Sequence, residues 1–531
     1  VERRFGEERQ MGSLIEQGAA ELAARIAAKE VSSREVLEAH IERAEAVNPV
    51  INAVIFRMYE RARAEAEAAD EAVARGDELG PLHGVPMSIK DEFLVEDTPT
   101  TWGLAHRVGH RATREGPILQ RLRRAGAIPF LKTNIPVMLL QTETHNPTFG
   151  RTNNPWDLER TPGGSSGGEG ALIASLGSPL GIGADIGGSL RVPAHYNGIA
   201  TIKVTEYRLP HGDRPEDIPA WQENIVSMTG PLARTVEDVV LGLRVMADER
   251  GDALPREPHV PPVAWQDPKG VDVADLRVGL AVDDGGIAPA PAVRRAVEEA
   301  AAALEDAGAT IVEWRPPDAE ETFSLFAKML GGDGFRHAVR LTGDDPLSDV
   351  LKRISLMGRV PGVVGRGLGK VLRAVGNRNV AVITEMAGTL SVDELGDWLA
   401  RRQQMLRRLA KQFHDDVDVV VCPPHALPAL PHGRFNDMYF ASTFTFLANL
   451  TGLPAGVVPV TRVQPDEECE RSPGLDLMER VVKSCEQGSA GLPVGVQVLA
   501  GWWRDDLVLA AMAAIEQRVD GVGHPRVPGV D

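Results

Sequence analysis

Apolar positions in residues 1–80 recur with a helical period. Val36, Leu37, Ile41 and Ala44 follow the stretch Ser32-Ser33-Arg34-Glu35 at helical spacing. That stretch reads as a capping box, in which serine and glutamate satisfy each other's free amides. A second helix, rich in alanine and charge, is expected over Tyr59–Arg75, stopping before Gly76. Residues 82–238 have a different texture. Short β-branched runs alternate there with turns dense in glycine, serine and proline, which is the pattern of an α/β core with buried strands. Within it, residues 120–125 end a helix and residues 127–132 form a strand entering the Thr133-Asn134 turn. Residues 276–280, 291–307 and 310–312 read as strand, helix and strand, which favours a parallel or mixed sheet. Residues 417–423 read as another buried strand.

Two segments lie outside this alternation. Residues 249–269 carry Pro255, Pro258, Pro261, Pro262 and Pro268 among charges and read as a surface connection. Residues 317–412 are more helical. Phe323, Phe326, Met329 and Leu330 lie at near-helical spacing, as do Leu351, Ile354 and Leu356. Such stripes are ordinarily core, but Met and Phe also line adaptable apolar pockets. The expected organisation is a helical segment at 1–80, a core at 81–316, a variable helical pocket or lid region at 317–412, and completion of the core by 413–531, in one large domain. No internal repeat or low-complexity block is visible.

Composition narrows the function classes. Apolar residues make up 43% and charged residues 25% of 531, as in soluble globular proteins. The net charge of −18 argues against nucleic-acid binding, which needs clustered Lys and Arg. Cys422, Cys469 and Cys485 show no CxxC spacing, and three thiols form no disulfide framework. A reduced, cytoplasmic compartment is the simplest expectation. No apolar run reaches the ~18–20 residues needed to span a bilayer. Val1–Glu8 lack the apolar core of a signal peptide, and Met11 is an alternative start. The 13 histidines form no HExxH motif or Cys/His cluster, and no dinucleotide fingerprint precedes a helix. Neither metal nor cofactor is expected.

Three stretches carry candidate chemistry. They are Gly84-Val85-Pro86-Met87-Ser88-Ile89-Lys90-Asp91, Pro162-Gly163-Gly164-Ser165-Ser166-Gly167-Gly168, and Ala184-Asp185-Ile186-Gly187-Gly188-Ser189. A serine needs a base beside it to act as a nucleophile at neutral pH. A lysine can be that base only when neutral, and burial favours the neutral form. Val85, Met87 and Ile89 form an apolar approach consistent with burial of Lys90, whereas Asp91 and Glu92 would oppose its neutralisation if they lie close. Gly187-Gly188 can turn successive N–H groups towards one oxygen, as an oxyanion hole requires. The loop at 163–168 is not a Walker A phosphate cradle, because it lacks the Gly-Lys-Ser/Thr ending.

Together these stretches resemble the amidase signature family, whose triad is Ser–cisSer–Lys. Lys90 and Ser165 are 75 residues apart, and Ser165 and Ser189 are 24 apart, which fits that pattern. Residues 446–454 and 491–497 also look like it, and the resemblance is weakest at 317–412. It implies an α/β amidase signature fold, a mixed twisted sheet covered by helices on both faces. It further implies Ser189 as nucleophile, Ser165 as the bridging serine after a cis peptide, and Lys90 as base. The amides of Ile186, Gly187, Gly188 and Ser189 would form the oxyanion hole. Leu139, through its carbonyl, Gly163, Gly164 and Arg208 would contact substrate, although Arg208 is equally readable as a loop stabiliser. Ser166, Asp185 and Arg191 would be structural. The stretch Thr201-Ile202-Lys203-Val204-Thr205 lacks the family's usual proline, and Tyr207 stands where glycine is common. Both departures bear on the pocket mouth.

The expected activity is hydrolysis of amides or carbamates through an acyl-enzyme on Ser189, with a lean towards urethanes and bulky apolar or aryl substrates. The expected partner is a small molecule, and the expected state a monomer or homodimer free of membrane and nucleic acid. Two alternatives are an amidotransferase A-type subunit working with partners and a catalytically silent binding member.

Overall fold

The computed structural model describes residues 14–210, 224–247, 259–435, 438–468, 471–472 and 476–531. Val1–Glu8, Met11, Cys469 and the first part of the 249–269 connection, with Pro255 and Pro258, lie outside them. The capping box forms as expected: the Ser32 side chain accepts from the Glu35 amide and the Glu35 carboxylate from the Ser32 amide. The helix it opens spans Ser33–Ile51, and the next spans Tyr59–Arg75 with Gly76 at its end.

Eleven strands form one mixed sheet. In chain order they are β1 Val54–Arg57, β2 Pro86–Lys90, β3 Ile128–Thr133, β4 Leu180–Asp185, β5 Ala200–Lys203, β6 Met228–Ala233, β7 Arg277–Leu280, β8 Thr310–Glu313, β9 Val419–Cys422, β10 Ala455–Arg462 and β11 Pro493–Ala500. Across the sheet they run β1-β3-β2-β4-β6-β5-β10-β11-β9-β7-β8. The expected strand–helix–strand unit is present, with β7 and β8 parallel and the Pro291–Asp306 helix between them. Strand β1 follows a helix closely and was not expected as a strand. The Thr133-Asn134 turn starts one residue late, since Thr133 still belongs to β3.

Helices cover both faces. The Gly167–Ala174 and Arg191–Asn197 helices pack together on one side, and the Val236–Ala247 and Asp505–Glu516 helices pack together on the other. Consecutive residues divide accordingly. Leu232 and Val457 join the cluster under the first pair, whereas their neighbours Ala233 and Val458 join the main core. This is the period-two alternation of a sheet buried on both sides.

Strand β2 is parallel to both β3 and β4, with Lys90 opposite Thr133 and Ser88 opposite Gly181. Parallel strands end at one edge of the sheet, which is where α/β proteins place their sites. Lys90 ends β2 and Asp185 ends β4. The two motifs are thereby neighbours although Lys90 and Asp185 are 95 positions apart in sequence.

The 319–415 region is built of helices. On the outside of two of them, Leu356, Val363, Val364, Leu368, Val371 and Val375 are exposed. No helix among the described residues is long and apolar enough to cross a membrane.

Candidate active site

At the end of β2 the Lys90 ammonium reaches three oxygens. Its Nζ lies 2.9 Å from Ser165 Oγ and 3.2 Å from the Ala184 carbonyl, donating to both. It also lies 3.0 Å from Glu92 Oε2, and lysine and glutamate are both fully buried. Asp91 turns the other way, to Lys132 at 2.9 Å. Glu92 is therefore the acid that faces Lys90, and Asp91 is not.

Ser165 stands on the loop before the Gly167–Ala174 helix, and the Gly164–Ser165 peptide is cis. Gly163 is fixed in that loop, accepting from the Thr144 hydroxyl at 2.9 Å. The Ser166 amide donates to the Ser189 carbonyl at 3.2 Å, tying the two serine loops together. The Ser189 side chain is buried. Its hydroxyl makes no hydrogen bond among the described residues, so Lys90–Ser165 is the formed link and Ser165–Ser189 is open.

Asp185 and Arg191 hold the turn that carries Ser189. Arg191 grips both carboxylate oxygens, at 2.9 and 3.0 Å. Burial pushes the Asp185 carboxyl up, but the Arg191 charge and the hydrogen bonds from Arg191, Gly188 and Leu190 outweigh it and hold Asp185 well below the usual carboxylate range. Arg191 is anchored in turn by Gln497 Oε1 at 2.7 Å and the Thr445 carbonyl at 3.0 Å. Asn449 donates to Asp185 Oδ1 at 3.0 Å. Asn449, Thr445 and Gln497 were not singled out from sequence. They come from the 446–454 and 491–497 stretches or beside them, and their only signal was that those stretches fit the family pattern.

The amides expected at the oxyanion differ in their partners. The Gly188 amide donates to Asp185 Oδ1 at 2.7 Å, so it is committed to holding the turn. The amides of Ile186, Gly187 and Ser189 have no acceptor among the described residues. These three amides are unengaged among the described residues, whereas that of Gly188 is engaged. Gly188 has φ +103°, a conformation that favours glycine. A Cβ on Gly187 would stand 2.9 Å from the Phe326 ring, so the turn lies directly against an apolar wall.

That wall opens into a cavity of 340 Å³. Phe326 and Phe446 line it as a stacked pair with centroids 4.2 Å apart. Leu330, Ile354, Met357 and Met386 continue the lining. Of the four residues expected at the substrate, none lines this cavity. Leu139 sits on a turn with φ +61°, beside the cavity residue Leu140. Gly163 and Gly164 lie in the Ser165 loop. Arg208, readable from sequence either as a substrate contact or as a loop stabiliser, lies 3.7 Å from Asp505, which also accepts from the Thr205 amide at 2.8 Å. Arg208 therefore braces this loop. Tyr207 occupies the left-handed region at φ +66°, which fits a position where glycine is common, and packs near His259.

Among the described residues no three His, Cys, Asp or Glu side chains are placed to hold a metal ion. The groups that converge are hydroxyls, an amine, a carboxylate and backbone amides, a set suited to acyl transfer.

Known proteins share this architecture. The Amidase family model matches residues 35–509. Fatty acid amide hydrolase 1 of Caenorhabditis elegans is 33% identical over 92% of this chain and 86% of that protein. A glutamyl-tRNA(Gln) amidotransferase subunit of Acidothermus cellulolyticus is 32% identical over 95% of both chains. A solved structure of fatty acid amide hydrolase superposes with a TM-score of 0.84 at 26% identity, covering 97% of this chain and 86% of that one. With the family model spanning most of the chain and the sheet, loops and buried lysine in place, this protein belongs to the amidase signature family, the hydrolases of amide carbon–nitrogen bonds other than peptide bonds.

Proposed function

We propose that the protein hydrolyses amides and carbamates of bulky apolar or aryl groups, with Ser189 as nucleophile, Ser165 as proton bridge and Lys90 as base. The observation that carries this reading is the 2.9 Å contact between Lys90 Nζ and Ser165 Oγ, on a loop hydrogen-bonded to the Ser189 turn. Ser189 Oγ attacks the carbonyl carbon while its proton passes to Ser165 and the Ser165 proton to neutral Lys90. The developing oxyanion meets the amides of Ile186, Gly187 and Ser189. The relay then returns a proton to the leaving group, and water hydrolyses the acyl-enzyme. With a carbamate, loss of the alcohol leaves a carbamoyl-enzyme that later releases amine and carbon dioxide.

The cavity supports an apolar acyl or aryl group, since its lining is almost wholly hydrocarbon and aromatic. The test is hydrolysis of a p-nitroanilide and an aryl carbamate by wild type and Ser189→Ala, with amine release followed by mass spectrometry. Cleavage of both, lost by at least about 10³-fold in the variant, is expected. Cleavage of the anilide alone would restrict the activity to amides. Activity on neither, or equal activity in the variant, would refute the reading. The full-length similarity to an amidotransferase component favours one rival. Hydrolysis by the isolated chain, at a single gel-filtration peak, would exclude a need for partners.

A further inference from the structure

We propose that Glu92 is a positioning residue of the catalytic relay, stabilising the ammonium that forms when Lys90 takes the Ser189 proton. The inference rests on Lys90 being the base. Its ground is geometric. Directly after β2 the Glu92 amide donates to the Lys90 carbonyl at 2.7 Å, closing a three-residue turn. The turn folds the Glu92 carboxylate back onto the residue two positions earlier, 3.0 Å from its Nζ. Both side chains are buried, so neither salt nor bulk water weakens the pair.

The other charged groups nearby are engaged elsewhere. Asp91 pairs with Lys132. Glu169, which acts on Lys90 through space, accepts from the Thr133 hydroxyl at 2.7 Å and from Ser88. Asp185 is gripped by Arg191.

Solvent first removes one proton from the Lys90 ammonium. Ser189 Oγ then forms the C–O bond, and the carbonyl electron pair moves to oxygen. The Ser189 proton goes to Ser165 Oγ, and the Ser165 proton goes to Nζ. An ammonium is thereby recreated against the Glu92 carboxylate, as the acid behind a catalytic histidine stabilises imidazolium. When the C–N bond breaks, Nζ returns the proton through Ser165 to the leaving nitrogen. Glu92 itself never changes protonation.

The same carboxylate makes the first deprotonation harder, and this gives the proposal a distinctive signature. Removing its charge should move the acid limb of the kcat/KM profile to lower pH, by about 1–3 pH units. A less basic Lys90 should also lower the alkaline plateau, by a smaller factor than the limb moves because the rate follows basicity only in part. The wild-type and Glu92→Gln profiles should therefore cross, with the variant faster at acid pH and slower at alkaline pH. Glu92→Asp, which keeps the charge, should leave the limb near its wild-type position.

The experiment measures kcat/KM against pH for a p-nitroanilide with wild type, Glu92→Gln, Glu92→Asp and Glu92→Leu, each checked for folding by circular dichroism. Crossing profiles for the neutral variants support the role. A uniform loss at all pH values, or a limb that moves equally in Glu92→Asp, would assign Glu92 to packing and overturn it. Glu92→Leu, whose own side chain brings no polar group into the site, stands in if Glu92→Gln does not fold. Failure of both to fold would make the pair a stability element and overturn the role as well. A wild type whose hydrolysis survives Ser189→Ala would refute the proposed function and take this inference with it. An unmoved limb in an enzyme that depends on Ser189 would overturn the inference alone.

Discussion

At the scale of single residues, the stability of the Ser189 turn rests on a buried ion pair. Asp185 and Arg191 are both inaccessible, and each satisfies the other with two hydrogen bonds. Such a pair is costly to break from one side, because the remaining charge stays buried. Asp185→Asn should therefore lower stability by about 3–5 kcal/mol, read as a clear fall in melting temperature, and should reduce activity because Gly188 loses its anionic acceptor. Asp185→Asn combined with Arg191→Met should melt higher than Asp185→Asn alone. An unchanged melting temperature in the single variant would contradict the account. The triad candidates were legible from sequence because glycines and serines flank them at family spacing. The anchors were not: Gln497 and Asn449 reach Arg191 from 306 and 258 residues away, and no local pattern encodes such a meeting. Glu92 was visible as a neighbour of Lys90, but only the three-residue turn decides that it, and not Asp91, faces the amine.

At the scale of elements, the Ala319–Gly331 helix connects the variable region to the chemistry. Its Phe326 ring lies where a side chain on Gly187 would have to go. Gly187→Ala should displace that ring or the turn. A misplacement of about 1 Å at a catalytic group can cost about 10²-fold in rate, and a loss of that order is expected with the fold retained. Phe326→Leu in the same chain should restore part of the rate, since it removes the colliding ring atoms. Purely additive effects of the two substitutions would show that they do not communicate. The helical period of Phe323, Phe326, Met329 and Leu330 was readable in advance. Phe323 and Met329 join the core, and Phe323, Phe326 and Leu330 line the cavity. Strand β1 escaped notice because four residues between two helices carry too little alternation to register.

At the scale of the whole molecule, burial of histidine makes stability depend on pH. His40, His195 and His425 are buried, and burial pushes their ring protonation down to about 3, 4 and 3. In the unfolded chain they titrate near 6.5. As pH falls below about 6.5 the unfolded chain takes up protons that the native state refuses, so stability falls. The three together steepen the loss by up to about 4 kcal/mol per pH unit. Urea unfolding at pH 7 and pH 5 should show the native state markedly weaker at pH 5. His40→Gln should make that difference smaller. An equal difference in the variant would remove His40 from the explanation. The α/β class was legible from the alternation of apolar runs and turns, which left the sheet parallel or mixed, and the family resemblance pointed to the mixed one. The strand order was not, because it depends on pairings between distant parts of the chain.

That order has a consequence for how the chain is made. Strands β1 to β6 occupy one half of the sheet and β7 to β9 lie in the other, and β10 and β11 join the halves at the centre. Strand β10 pairs with β5, and β11 pairs with β9. The keystone of the sheet, at residues 455–500, is thus synthesised after all nine other strands. Until the ribosome has released it, β5 is an open edge and the Asp185–Arg191 pair lacks its Gln497 anchor. The nascent protein waits with an unpaired sheet edge, the state most prone to pair with another chain, and the Ser189 turn acquires its Gln497 anchor only once the last strand has followed all the others.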